Sequence, residues 1–263
     1  MPSLDESTVD ALAERLYRAE RERRSIPQLS AEHPDMDAGD AYRVQQAIVR
    51  RRMADGATIV GWKLGLTSRA MQEQLGVDQP DYGPILSDYL VSEGTPIRVA
   101  DLVQPRVEAE IAFVLRSPLH GPGVTVADAL RATAGIAPAI EIIDSRIERW
   151  RLTLVDTISD LASSARVTVG SCLQPLDGLD VRLIGCVLER AGEVVATGAG
   201  AAALGNPAGA VAWAANTLGE LGVSLEPGHL VMTGALHASV PVEAGDVFTA
   251  RFDRLGSVTV RFE

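Results

Sequence analysis

Apolar residues at Leu4, Val9, Leu12, Leu16 and Tyr17 recur at helical spacing, with Arg and Glu filling the other face through Arg24. That period predicts an amphipathic helix whose apolar stripe must be buried against another element. A polar stretch with Pro27 and Pro34 separates it from a second helical pattern over 41–49, which runs into the basic cluster 50–52. Asp40, or Asp37 a turn earlier, is the N-cap candidate. At Thr58 the texture changes. Short apolar runs at 59–64 and 107–115 alternate with Gly, Pro and Asp, which predicts strands. The pattern further predicts short helices over 71–74 and 126–134, and strands over 137–143, 181–188 and 193–197. A longer helix is expected over 207–221, with Asn206 as N-cap, Pro207 at its first position and Gly222 just past its end. Beyond residue 230 the chain reads as strands, with breaks at Pro227-Gly228, Gly245-Asp246 and Leu255-Gly256.

The expected organisation is a helical segment, residues 1–57, packed on a β-rich body, residues 58–263. Without a regular strand–helix rhythm the class is mixed α+β, not a doubly wound sheet. With 46% hydrophobic residues in 263, the chain has enough apolar mass for a sizeable core. Its net charge of −11 and 4% aromatic content argue against nucleic-acid binding, which needs basic patches and stacking rings. No apolar run is long enough to span a membrane, no secretory signal is readable at the N-terminus, and no glycine-rich dinucleotide loop is present. Two cysteines, Cys172 and Cys186, are too few for a disulfide framework or a cysteine zinc site, so the cytoplasm is the expected compartment.

The chemistry begins at Glu108-Ala-Glu110. Residues two apart on a strand share a face, so both carboxylates point one way while Val107, Ala109 and Ile111 point the other. An edge strand with a solvated face would explain the pair; so would a cation between them. Glu141 lies in an apolar run that reads as a strand buried on both faces, where a carboxylate needs an ion-pair partner or a metal. Three carboxylates with no nearby His or Cys make a hard-oxygen site, suited to Mg²⁺ or Mn²⁺. Lys63 sits in a glycine-flanked apolar strand, as a surface amine, an amine of lowered pKa or a fixed cation for an anionic substrate. Asp81 lies in Pro80-Asp-Tyr-Gly83, which reads as a turn.

In order, Gly61-Trp-Lys-Leu-Gly-Leu-Thr-Ser68, Pro80-Asp-Tyr-Gly83, Pro105-Arg-Val-Glu-Ala-Glu-Ile-Ala-Phe113, Ile140-Glu-Ile-Ile-Asp-Ser-Arg-Ile147 and Leu255-Gly-Ser-Val258 resemble the 2-keto-4-pentenoate hydratase and 4-oxalocrotonate decarboxylase family of the fumarylacetoacetate hydrolase superfamily. The similarity runs from about Leu12 to the C-terminus. It implies a mixed β-roll body with an N-terminal helical segment, a Mg²⁺ or Mn²⁺ site of Glu108, Glu110 and Glu141, and active-site positions at Lys63, Asp81 and Ser163. Ser164 is the neighbouring alternative to Ser163, and Leu161 stands where the family commonly has Asn. The resemblance also implies a homo-oligomer and leaves room for association with a homologous enzyme of the same pathway.

The activity so implied is metal-dependent addition of water to a 2-hydroxy-2,4-dienoate. Decarboxylation of 4-oxalocrotonate (2-oxo-3-hexenedioate) is the alternative, and a non-catalytic partner subunit is a reading of another class. A carbon–carbon bond hydrolase is disfavoured, because no histidine is an obvious water-activating base. His33 and His120 lie in polar loops, His229 follows a turn, and for His237 packing is a stronger expectation than catalysis.

Overall fold

The computed structural model describes residues 4–69, 72, 73 and 76–263; of the helix expected over 71–74, Gln72 and Glu73 are helical and the other two lie outside the described residues. Three helices open the chain: α1 (Glu6–Glu22), α2 (Leu29–Glu32) and α3 (Ala38–Ala54). In α1 the Asp5 carboxylate accepts the Thr8 amide at 2.7 Å, and the helix stops at Arg23, whose φ of 54° is left-handed. Its stripe of Val9, Leu12, Ala13, Leu16 and Ala19 is buried, as the spacing requires. Asp37 caps α3 by accepting the Asp40 amide at 2.8 Å, while Asp40 is buried against Arg43.

The body follows in the order β1 (Ile59–Gly65), β2 (Asp81–Leu86), β3 (Pro96–Ile97), β4 (Pro105–Leu115), α4 (Val126–Ala132), β5 (Thr133–Asp144), α5 (Leu154–Ser159) and β6 (Ser164–Val169). It continues with β7 (Gly185–Arg190), β8 (Glu193–Ala199), α6 (Pro207–Glu220), β9 (Leu230–Met232), β10 (Val240–Pro241), β11 (Val247–Phe252) and β12 (Gly256–Phe262). Two expectations need correction. The strand predicted from 181 begins only at Gly185, because the Asp180 carboxylate accepts the Arg182 amide and turns the chain there. Asp81 opens β2 opposite Gly65 instead of occupying a turn.

Among the described residues the strands form two sheets. One runs β2-β1-β9-β4-β5-β6, with β10 pairing further along β4; the other runs β3-β12-β11-β7-β8. Parallel pairs (β1 with β9, β12 with β3) mix with antiparallel ones, giving the α+β class expected. The first sheet curls until its ends meet: Leu90, just past β2, bridges Val167 in β6, and the Val91 amide donates to the Val167 carbonyl at 2.9 Å. The principal core lies between this roll, the second sheet and α6, and includes Phe113, Ile140, Leu188, Phe248 and Leu218.

A second core lies under α1 and α3 and takes Leu86, Tyr89, Ile147, Ile158 and Leu161 from the body. Gln45 on α3 donates to the carbonyls of Tyr82 and Ile158, both at 2.9 Å. The helices therefore brace β2 and α5, two elements that border the site described below. Leu16→Ala removes a fully packed side chain from this core, so a loss of about 2–5 kcal/mol is expected in urea unfolding. Unchanged stability would show that α1 contributes no packing.

Candidate active site

β4 is flanked by β5 on one side and by β9 and β10 on the other, so the edge-strand reading of Glu108 and Glu110 does not hold. The register places Glu108 directly opposite Glu141 and Glu110 opposite Ala139. One carboxylate oxygen from each of the three glutamates lies within 4.8 Å of the others. Like charges facing each other across an antiparallel pair repel, and burial strengthens the repulsion. Glu110 and Glu141 are fully buried and Glu108 half-buried. Hydrogen bonding compensates little. Both Glu141 oxygens and Oε1 of Glu110 have no hydrogen-bond partner among the described residues; Oε2 of Glu110 accepts the Gly234 amide at 2.8 Å. Only glycine serves at 234, where φ is 104° and a Cβ would lie 1.9 Å from Thr67 Oγ1. Burial pushes the Glu108 carboxyl up to about 7, and burial together with the charges of Glu141 and Glu108 holds Glu110 well above the usual range.

Lys63 joins this trio from β1 and meets Glu141 on β5, three strands away in the sheet order. Flat strands would put it about 14 Å off at their usual spacing, so the contact depends on the curl of the roll. Its Nζ lies 3.5 Å from Glu141 Oε2 and donates to the Ala162 carbonyl at 2.8 Å. Lys63 is buried, which excludes the surface-amine reading. Burial works against its charge, but Glu141, Asp81, Glu108 and Glu110 hold its pKa above the ordinary lysine value. With these four carboxylates around it, the amine is favoured in its charged form, the direction of the fixed-cation reading. Asp81 is buried at the start of β2; burial raises its pKa against the opposing pull of Lys63. A Cβ at Gly65 would come within 2.1 Å of Asp81 Oδ1, so the missing side chain there makes room for this carboxylate.

Ser163 is buried, its Oγ has no hydrogen-bond partner among the described residues, and it lines a cavity of about 550 Å³ with Lys63, Asp81 and Glu108. Ser164 turns away into β6, paired with Ile143. Leu161, the departure from the family pattern, packs into the core beneath the helices. Leu161, Ala162 and Ser163 have φ of 55°, 50° and 57°, three consecutive left-handed residues without a glycine. Each costs roughly 1–2 kcal/mol against right-handed backbone.

Arg106 is a cavity residue that the sequence reading passed over, although strand alternation puts it on the same face as Glu108 and Glu110. Its guanidinium lies 5.1 Å from the Trp150 ring centroid and forms no ion pair among the described residues. His237 also lines the cavity, but its ring is committed. Nε2 accepts the Ala109 amide at 3.2 Å, Nδ1 donates to the Ala238 carbonyl at 2.8 Å, and burial lowers its pKa. A neutral imidazole bonded to backbone at both nitrogens has no lone pair left for activating water.

Residues 62–263 match the model of the fumarylacetoacetate (FAA) hydrolase C-terminal family. The chain is 44% identical over 260 residues to a 4-oxalocrotonate decarboxylase of Pseudomonas sp. (strain CF600), covering 99% of this chain and 98% of that protein. It is 43% identical over 251 residues to a 2-keto-4-pentenoate hydratase of Paraburkholderia xenovorans (strain LB400), covering 95% and 93%. A solved structure of 4-oxalocrotonate decarboxylase from Pseudomonas putida G7, complexed with magnesium and adipate, superposes with a TM-score of 0.97 at 41% identity over 100% of both chains.

A carboxyl whose pKa is raised on folding keeps its proton longer in the folded state, so its contribution to stability falls as pH rises above its ordinary value of 4.5. Metal-free Glu110→Gln is therefore expected to melt higher than the wild type at pH 8, with the gap closing toward pH 4.5. The same variant should bind Mg²⁺ more weakly by calorimetry. A lower melting temperature at pH 8 would show that the buried charge is not a liability.

Proposed function

Because the chain belongs to the fumarylacetoacetate hydrolase family, we propose that it is a divalent-metal-dependent lyase acting on a small 2-oxo or 2-hydroxydienoic acid. Its reaction in this reading is addition of water to a 2-hydroxy-2,4-dienoate, giving a 4-hydroxy-2-oxo acid. The observation that carries it is the trio of crowded, largely unpartnered carboxylates opening on a cavity beside a buried lysine. A non-catalytic partner subunit has no use for such a cluster.

The donors fit a small hard cation: three carboxylates and no soft ligand, with buried oxygens short of partners. Glu108, Glu110 and Glu141 would hold Mg²⁺ or Mn²⁺, which when bound supplies Lewis acidity to the carboxylate and 2-oxo oxygens of the substrate. Lys63, charged and pinned by Ala162 and Glu141, offsets part of the site's negative charge and anchors a substrate oxygen. Asp81, whose buried carboxyl keeps its proton more readily than an exposed one, delivers a proton to C5 of the dienoate as the 2-hydroxyl gives up its own, which returns the carboxyl to its protonated form. With C5 protonated, C4 of the resulting 2-oxo-3-enoate is open to water. The Ser163 hydroxyl donates to the substrate carboxylate or orients that water. Arg106 holds an anionic group of the substrate.

Decarboxylation of 2-oxo-3-hexenedioate is the second reading. Arg106 favours it, since a guanidinium without a carboxylate partner suits a substrate with a second carboxylate, and adipate in the solved relative is a six-carbon dioate. A cytoplasmic homo-oligomer, in contact with a homologous pathway enzyme, completes the proposal, as does a division near residue 58, where α3 gives way to β1. Among the described residues no helix is long and apolar enough to cross a membrane.

Incubation with Mg²⁺ and either 2-hydroxypenta-2,4-dienoate or 2-oxo-3-hexenedioate, followed by mass spectrometry, tests the reading. Gain of water from the first supports hydration, loss of CO₂ from the second supports decarboxylation, and no change in either overturns the lyase assignment. Glu141→Ala should abolish turnover in a chain that still folds; wild-type rates would remove Glu141 from the site. Arg106→Met should raise KM at least tenfold, and an unchanged KM would exclude it from binding substrate.

A further inference from the structure

The left-handed turn at 161–163 needs something to hold it, because three non-glycine residues do not stay in that conformation unaided. The structure supplies a buried clamp. Arg146, two residues past the end of β5, is 2% exposed, and Asp160 is fully buried. Arg146 Nε donates to Asp160 Oδ1, and its backbone amide donates to Oδ2 at 2.9 Å. Ser145 Oγ donates to the same Oδ2 at 3.0 Å. The rest of the guanidinium is spent on backbone: Nη1 reaches the carbonyls of Asp144 at 2.6 Å and Ser164 at 3.1 Å, and Nη2 reaches that of Asp160. The Asp160 carbonyl in turn accepts the Ser163 amide at 2.8 Å, which closes the turn.

We infer that Arg146 and Asp160 are positioning residues for the active site, an inference that rests on the function proposed above. Asp160 opens the turn, and Arg146, just past the end of the strand that carries Glu141, binds the carbonyls on either side of it. The turn then presents the Ala162 carbonyl to Lys63 and the Ser163 hydroxyl to the cavity. Neither clamp residue is among those lining the cavity, so each acts through the backbone it holds. A buried ion pair persists only where further hydrogen bonds satisfy its remaining donors and lone pairs. Here the guanidinium also ties the carbonyls of Asp144, Asp160 and Ser164, a set of bonds that a planar five-donor group makes and an ammonium does not, while the carboxylate holds the Arg146 amide.

The test compares Asp160→Asn and Arg146→Lys with the wild type in Mg²⁺ affinity, steady-state kinetics and hydrogen exchange read by mass spectrometry. Mg²⁺ affinity should stay within about threefold, because the trio sits on β4 and β5. A loss of kcat of about a hundredfold is expected, the scale of effect for an active-site group displaced by about 1 Å. Exchange should quicken over 160–164 and not over β4 or β5. Wild-type kcat in a folded variant, or exchange that rises equally across β4 and β5, overturns the inference. Should Asp160→Asn fail to fold, Arg146→Lys, which keeps the charge pair, decides the matter. Should the wild type turn over neither substrate, the proposed function fails while the exchange pattern still tests the clamp.

Discussion

Glu108 and Glu141 face one another across neighbouring antiparallel strands, with Glu110 one step further along the same face. In a sheet interior this is an unfavourable pair, made worse by a third carboxylate and by burial. One lysine at 3.5 Å offsets one charge of the three, and its amine also serves the Ala162 carbonyl. The surplus is negative, concentrated and short of donors. A doubly charged cation of high oxygen affinity would balance it, and the proposed chemistry follows from that need.

The architecture concentrates this charge without exposing it. Curling of the first sheet brings β1 round to β5, so residues distant in strand order meet at Glu141. β9 ends at Met232, and the chain turns at Gly234 so closely that the backbone amide itself reaches Glu110. Between β9 and β10, His237 accepts the Ala109 amide left without a strand partner, which gives the histidine beside the site a structural task. The helical segment takes part indirectly, because α3 grips β2 and α5 through Gln45, and Asp81 lies on β2. Stability is given up locally at the trio and at the left-handed turn, and recovered in the two apolar cores.

What the sequence revealed was local. The stripe of α1, the shared face of Glu108 and Glu110, and the anomaly of Glu141 in an apolar run follow from periodicity, and the cap at Asn206 from its side chain before Pro207; at α3 the second candidate, Asp37, is the cap and Asp40 lies inside the helix. Asp81 was misread because Pro-Asp-Tyr-Gly carries turn chemistry, whereas pairing with β1 draws it into a strand. The direction of the Lys63 shift was out of reach, since it depends on four carboxylates brought together by folding. Arg106 was hidden for the opposite reason: a basic residue at the head of a strand looks like ordinary surface until the cavity beside it is seen. The turn at 161–163 left no glycine to mark it, and the Arg146 clamp that holds it spans fourteen residues of chain.

The central claim is that Glu108, Glu110 and Glu141 together hold one divalent cation. Crystals soaked in Mn²⁺ and measured at its absorption edge address it directly, since the anomalous signal locates the ion independently of any assay. The account predicts the strongest peak between these three carboxylates, within bonding distance of an oxygen from each. A peak elsewhere, or none there while Lys63 stays against Glu141, would contradict it.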